Sequence, residues 1–224
     1  MTNLKSQREL IKETKLAQSK RTRLTVILAV IAVVVIALLI WLLPRLGANK
    51  SAYAQQDRFS IGDPNAPVKV VEYSNYTCSH CKTFALNTEE AFVEKYVDTG
   101  KVYFTFHNFP FEGDTTGPAV AASHCAADQN AFWQYKKLLF TYSGYPGGFD
   151  TNSLYDYAGR VGLDKTAFKA CFESAETQAK ISSDRADALA NNISATPSFV
   201  VNGTLVYVDT LDATIDAELA KLGQ

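Results

Sequence analysis

Two cysteines separated by two residues, Cys78 and Cys81, have a spacing that supports redox chemistry. The apolar run Val68–Tyr73 before them is typical of a strand, and the residues after Cys81 follow a helical pattern. Cys78 should therefore lie at the mouth of a helix, where unpaired backbone N–H groups and the helix dipole lower the pKa of a thiol. His80 would add positive charge beside Cys78 when protonated. The pattern predicts an attacking thiol at Cys78 and a more buried resolving thiol at Cys81.

A C-x-x-C pair also occurs in zinc sites, which need two further ligands at suitable spacing. Cys125 and Cys171 are 46 residues apart, and neither belongs to a second C-x-x-C pair. The sequence therefore favours thiol chemistry at Cys78 and Cys81, and we expect no metal.

Cys125 and Cys171 are predicted to form a structural disulfide. Cys125, Phe132 and Leu139 recur at seven-residue intervals, so we expect them to share one face of a helix. Cys171 is followed by Phe172 and should face the core from a neighbouring helix. Two inward-facing cysteines in an oxidising compartment are expected to pair, with two unpaired buried thiols as the alternative.

The start of the chain has the pattern of a membrane anchor. Residues 1–23 carry seven Lys or Arg against two Glu, and residues 24–43 form an uncharged apolar run. Such a run spans a hydrocarbon core of about 30 Å, and the basic flank should stay in the cytoplasm. We therefore expect a single-pass membrane protein with a cytoplasmic N-terminus, a linker at 44–58 and an extracytoplasmic domain at 59–224, on the periplasmic or cell-surface side. The alternative is a signal peptide cleaved near Ala54.

The composition of the remaining chain restricts its partners. Hydrophobic residues make up 47% of the sequence, which is enough for a buried core. From Gln55 onward the chain carries 13 basic and 21 acidic residues. Nucleic-acid binding needs clustered Lys and Arg, so no nucleic-acid partner is expected.

The order of elements predicts an α/β domain. The first strand is followed by a helix that should end at Gly100. A second strand should follow at Val102–Phe106. A helical region follows at about 117–192, with expected breaks at 144–148 and 162 and with Thr151 and Asp164 as expected caps.

The end of the domain reads as a β-hairpin and a helix. Ser198–Val201 should be a strand, Asn202-Gly203 a tight hairpin turn and Leu205–Val208 the returning strand. A final helix should begin near Asp212.

Several stretches of the sequence form a recognisable set. They are Gly62-Asp63-Pro64-Asn65-Ala66-Pro67-Val68, Val71-Glu72-Tyr73-Ser74-Asn75-Tyr76-Thr77-Cys78-Ser79-His80-Cys81, Cys125-Ala126-Ala127-Asp128-Gln129-Asn130-Ala131-Phe132-Trp133, Gly162-Leu163-Asp164 with Phe168, and Thr196-Pro197-Ser198-Phe199-Val200-Val201-Asn202-Gly203. These stretches resemble the DsbA family of thiol oxidases, and more closely the branch that includes the Gram-positive BdbD proteins. The resemblance covers roughly residues 60–222.

The resemblance implies a thioredoxin fold with a helical insertion and assigns roles to further residues. Pro197, after Thr196, matches a cis proline that faces the active-site sulfurs, although an ordinary turn proline is the alternative. Glu72 matches an acid beneath the redox pair that exchanges a proton with the resolving thiol, and a glutamate at a strand edge is the alternative. Ser79 and Asn75 depart from the family pattern, where proline and aspartate are common, which leaves the redox potential open.

The resemblance further implies an oxidase that introduces disulfides into reduced, unfolded exported proteins. A quinone-linked membrane partner of the DsbB or VKOR kind should reoxidise it, and no metal or organic cofactor is implied. A reductase or isomerase, for example in cytochrome maturation, is the main alternative. A non-catalytic chaperone or binding module with a structural Cys78–Cys81 bridge is the third hypothesis.

Overall fold

The structure is a computed structural model that describes Tyr53 and residues 56–223. The predicted tail at 1–23, the predicted span at 24–43 and most of the predicted linker at 44–58 lie outside the described residues. Within the described part, none of the helices is long and apolar enough to cross a bilayer.

Five strands form one sheet in the order β1-β3-β2-β4-β5. Strands β2 and β3 are parallel, whereas the other neighbouring pairs are antiparallel. The strands are β1 (Ser60–Ile61), β2 (Val68–Ser74), β3 (Val102–Asn108), β4 (Ser198–Val201) and β5 (Thr204–Val206). Strand β1 is only two residues long and has no clear pattern in the sequence.

Alternating burial fixes which face of the sheet meets the core. In β3, residues Val102, Phe104 and Phe106 are buried and the residues between them are partly exposed. Successive side chains of a strand point to opposite faces, so the buried set defines one apolar face. Val68 and Val70 of β2 belong to the same core. This face lies under the helix that carries the cysteine pair, because Phe92 of that helix contacts Phe104 at a ring distance of 5.0 Å.

Residues 79–97 after β2 form a continuous helical stretch, which we call α1. It alternates between α-helical turns at Ser79–Thr83 and Glu89–Phe92 and π-helical turns at Phe84–Thr88 and Val93–Val97. The chain turns after it at Gly100, whose φ of 73° is favourable only for residues such as glycine.

The predicted helical insertion is present and contains five helices. They are α2 (Gly117–Asp128), α3 (Phe132–Tyr142), α4 (Thr151–Arg160), α5 (Lys165–Phe172) and α6 (Ala175–Ala190). The predicted cap at Asp164 is confirmed, because its carboxylate accepts hydrogen bonds from the N–H groups of Thr166 and Ala167. The predicted cap at Thr151 is wrong. Asp150 precedes α4, and Thr151 is its first residue.

The expected single helix through Cys125, Phe132 and Leu139 is also wrong. Cys125 lies in α2, whereas Phe132 and Leu139 lie in α3. The helix breaks at Asn130, which has a φ of 53°, a conformation that asparagine tolerates better than most residues.

The predicted turn of the C-terminal hairpin is present, whereas the predicted start of the helix after it is four residues too late. Asn202 and Gly203 have φ values of 47° and 87°, as a tight hairpin turn requires. However, β5 ends at Val206, and the last helix, α7 (Val208–Lys221), begins four residues before Asp212. The alternation around Tyr207 resembles a strand, but Tyr207 is the N-cap residue of α7.

Candidate active site

Cys78 occupies the N-cap position of α1. Its backbone is extended, with φ −75° and ψ 121°, and its sulfur accepts a hydrogen bond from the N–H of Cys81 at 3.5 Å. Cys78 is partly exposed and has a free thiol. The geometry therefore places a partly exposed sulfur at the helix mouth, the position that the sequence predicts.

The pKa of Cys78 is lowered below that of an ordinary cysteine. Burial by itself raises the pKa, but hydrogen bonds with the Thr196 side chain, with the Cys81 N–H and thiol, and with the His80 N–H outweigh it. These donors stabilise the thiolate, which is the nucleophilic form of cysteine.

Cys81 lies one turn further along α1 and is fully buried. Burial raises the pKa of its thiol to about 12, and the negative charge of Glu72 adds to this effect. At neutral pH this thiol stays protonated, so it needs a proton acceptor before it can attack a disulfide. The two sulfurs thus have unequal environments, which suits an entry thiol and a resolving thiol.

His80 lies between the two cysteines with an exposed side chain. Its backbone N–H contributes to the lowered pKa of Cys78. This contribution needs no particular side chain at position 80. The effect of a charged imidazole on Cys78 stays a prediction.

The loop before β4 faces the reactive sulfur. The Thr196-Pro197 peptide bond is cis, and the Cys78 thiol donates to the Thr196 carbonyl oxygen at 3.3 Å. The structure therefore brings Thr196 and Pro197 to the cysteine pair, although 118 residues separate Thr196 from Cys78.

Glu72 is fully buried in the central strand of the sheet, not at a strand edge. It lies beside Phe106 of β3 and Phe199 of β4. Its carboxyl oxygens make no hydrogen bond within the described part of the chain. Burial raises the pKa of Glu72 to about 7, an effect that the charge of Lys136 opposes. A carboxyl group with this pKa can both accept and release a proton near neutral pH.

Asp114 is a residue near the site that the sequence analysis did not identify. It accepts a hydrogen bond from the Asn75 side chain at 2.7 Å, while Asn75 also accepts from the N–H of Thr77 at 2.8 Å. The backbone carbonyl of Asn75 accepts from the N–H of Cys78 at 3.1 Å. Asn75 and Asp114 thus connect the cysteine turn to the loop before α2. Their separation of 39 residues leaves no local signal in the sequence.

The predicted disulfide between Cys125 and Cys171 is present in the structure. It joins α2 to α5 within the helical insertion and belongs to the main core. Among the described residues, no group of three or more His, Cys, Asp or Glu side chains is placed to hold a metal ion.

Comparisons with known proteins agree with this geometry. Residues 54–217 match a protein-family model described as Thioredoxin. The chain is 31% identical over 183 residues to "Probable disulfide bond formation protein D" of Bacillus cereus, covering 78% of this chain and 84% of that protein. It is similar to the crystal structure of oxidised BdbD from Bacillus subtilis, with a TM-score of 0.63, 27% identity and coverage of 72% and 92% of the two chains. It is also similar to α-DsbA1 of Wolbachia pipientis, with a TM-score of 0.62, 28% identity and coverage of 73% and 94%.

The thioredoxin-like fold and the paired thiols at a helix mouth define a thiol–disulfide oxidoreductase. Together with the similarity to disulfide bond formation proteins, they show that the chain belongs to the DsbA family.

The position of Glu72 leads to a kinetic prediction. Replacing Glu72 with Gln should slow the attack of Cys81 on a mixed disulfide at Cys78 by about 100-fold, because the buried thiol loses its proton acceptor. The dependence of this rate on Glu72 ionisation near pH 7 should disappear as well. Rapid mixing can measure the rate, with glutathione preloaded on Cys78 and its release followed. Glu90→Gln, an exposed change on α1, the helix that carries Cys81, is the control. An unchanged rate and pH profile in Glu72→Gln would show that another group takes the proton.

Proposed function

We propose that this protein is a dithiol oxidase that donates a Cys78–Cys81 disulfide to reduced exported proteins as they fold. The observation that carries the proposal is the unequal pair of thiols. Hydrogen bonds lower the pKa of Cys78, whereas burial raises that of Cys81 to about 12. A pair whose reduced form is stabilised as a thiolate at the entry sulfur holds its electrons well and is therefore a strong oxidant.

The reaction transfers two electrons from the substrate to the cysteine pair. A substrate thiolate attacks the sulfur of Cys78, the Cys78–Cys81 bond breaks, and the sulfur of Cys81 takes the electron pair and a proton from Glu72. A second substrate thiolate then attacks the substrate sulfur of the mixed disulfide. A substrate disulfide forms, and Cys78 leaves as a thiolate.

The remaining parts of the proposal come from the sequence. The apolar run at 24–43, with the basic residues of 1–23 before it, would anchor the protein in a membrane and place residues 59–224 outside the cytoplasm. Exported proteins would then be the substrates. A quinone-linked membrane protein of the DsbB or VKOR kind would accept the electrons and regenerate the disulfide. Residues 44–58 would be the linker between the anchor and the enzyme.

The direction of electron flow can be tested by comparing the stability of the two redox forms. The domain should unfold at a higher urea concentration when Cys78 and Cys81 are reduced than when they are joined, because only the reduced form contains the stabilised thiolate. Urea unfolding at pH 7 with and without a mild reductant measures the difference. A Cys78→Ala/Cys81→Ala variant, which should not respond to the reductant, is the control. Greater stability of the oxidised form would indicate a reductase.

The difference in stability between the reduced and the oxidised form should depend on pH in a defined direction. Between the lowered pKa of Cys78 and about 8.5, the thiol is ionised in the folded chain but protonated in the unfolded chain. Its contribution to the reduced form is thus complete above about pH 8.5 and is lost as the pH falls through the folded pKa. Above about pH 8.5 the raised pKa of Cys81 acts in the opposite sense, because only the unfolded chain then loses that proton.

A further inference from the structure

Lys136 is a fully buried lysine within the apolar side of α3. Its ammonium group donates a hydrogen bond to the carboxylate of Glu89, a buried residue of α1. The other carboxylate oxygen of Glu89 accepts from the Tyr53 hydroxyl at 3.2 Å. Lysine is almost never fully buried unless it is paired. Removing two charges from water is costly, so the presence of a buried ion pair is weak evidence that the pair stabilises the fold.

The Lys136 ammonium lies on the face of the sheet that carries Glu72. Its Nζ atom is 4.9 Å from the ring centre of Phe106 and 4.2 Å from that of Trp133. Phe106 lies directly beside Glu72 in neighbouring strands, and residues in register on neighbouring strands point to the same face. The buried positive charge is therefore close to a carboxyl group that has no hydrogen-bond partner in the described part of the chain.

We infer that Lys136 and Glu89 are positioning residues for thiol–disulfide exchange: their two buried charges act in opposite directions on the charge state of Glu72. Lys136 is contributed by the helical insertion, so this part of the protein would take part in the chemistry beneath Cys81. The inference rests on exchange at Cys78 and Cys81 and on Glu72 as the proton partner of Cys81. It does not depend on the direction of electron flow.

The titratable groups around Glu72 act on it in opposite directions. They are Lys136 of α3, Glu89 and Cys81 of α1, and Tyr76 of the loop between β2 and α1. Burial raises the pKa of Glu72, the positive charge of Lys136 lowers it, and the negative charge of Glu89 raises it. Tyr76 is buried and neutral at neutral pH, since burial raises its pKa. Beside burial, Lys136 and Glu89 are thus the two charged groups that act on the ionisation of Glu72, in opposite directions.

The step that this pair controls is the closure of the Cys78–Cys81 disulfide. The sulfur of Cys81 attacks the sulfur of Cys78 in a mixed disulfide, its proton passes to the Glu72 carboxylate, and the bound thiol leaves with the electron pair of the broken bond. The rate should rise with pH as Glu72 ionises, so the midpoint of this rise reports the charge state of Glu72.

The test measures this midpoint by following glutathione release from Cys78 at a series of pH values. Lys136→Met should move the midpoint up by about one pH unit or more, because a nearby positive charge is lost. Glu89→Gln should move it down, because a negative charge near Glu72 is lost. A purely structural role would not produce shifts of opposite sign.

A matched control is provided one residue further along both helices. Lys137 and Glu90 form an ion pair between α3 and α1 at 4.0 Å, but their side chains are 66% and 79% exposed. Lys137→Met and Glu90→Gln should leave the midpoint unchanged, because water screens these charges.

If Lys136→Met does not fold, the double variant Lys136→Met/Glu89→Gln replaces it, since that variant leaves no unpaired buried charge. Its midpoint should lie above that of Glu89→Gln alone. An unchanged midpoint in Glu89→Gln, or shifts of the same sign in both single variants, would overturn the inference. An oxidised form more stable than the reduced form would overturn the proposed oxidase function but not this inference.

Discussion

Replacing Cys81 with Ala should trap covalent complexes between the protein and its substrates through Cys78. The partly exposed Cys78 sulfur would still exchange with substrate disulfides, but the buried thiol that resolves the complex would be missing. Replacing Cys78 with Ala should reduce exchange to the uncatalysed rate and should trap nothing. Non-reducing gel electrophoresis of each variant, mixed with a model protein whose disulfides are intact, measures both effects.

The two variants also control each other, because each keeps one thiol of the pair. Buried Cys81 should react slowly in Cys78→Ala, since its thiol stays protonated at neutral pH. If Cys78→Ala forms the complexes and Cys81→Ala does not, the roles of the two sulfurs are reversed.

The second large effect concerns the disulfide between Cys125 and Cys171. The double variant Cys125→Ala/Cys171→Ser should lose about 4 kcal/mol of unfolding free energy, because the bridge closes a loop with a sequence separation of 46 residues. This loss is large compared with a typical domain stability of roughly 5–15 kcal/mol. Urea unfolding in a background that also carries Cys78→Ala and Cys81→Ala measures it without interference from the redox pair.

The same substitutions made with Cys78 and Cys81 intact should retain exchange activity wherever the domain is folded, because the bridge lies within the helical insertion. A loss of less than about 1 kcal/mol would show that the bridge contributes little. A loss of exchange in folded protein would show that the bridge supports the active site directly.

The sequence predicts the core of the active site because its signals are local. The apolar run of β2 comes shortly before Cys78 and Cys81. The two cysteines are at positions i and i+3, so they are about one helical turn apart. The position of Thr196 and Pro197 beside Cys78 is predicted only by the resemblance to the DsbA family, because no spacing in the sequence indicates it. Distant contacts of this kind depend on how the whole chain folds.

Residues that act across long separations are harder to recognise in the sequence. Lys136 leaves one signal, since it interrupts an apolar side of α3 that includes Phe132, Leu139 and Phe140. Its partner Glu89 is 47 residues away and looks like a surface residue of an acidic helix. Only the packing of α1 against α3 shows that both are buried.

Breaks in helices are also poorly specified by local pattern. The seven-residue spacing of Cys125, Phe132 and Leu139 suggests one helix, yet the chain turns at Asn130. Asparagine adopts a positive φ more easily than most residues, but it occurs within helices as well. The spacing predicts the disulfide from a single helix through all three residues, and the structure has two helices there. The disulfide forms because α2 and α5 pack against each other.

The most direct test of Cys78 as the attacking thiol is a titration of thiolate absorbance in the reduced protein. Comparison with the Cys78→Ala and Cys81→Ala variants assigns each transition to one sulfur. We expect Cys78 to ionise well below the ordinary cysteine pKa of about 8.5, and Cys81 to stay protonated far above it. A midpoint for Cys78 near 8.5, or ionisation of Cys81 before Cys78, would contradict its assignment as the attacking thiol.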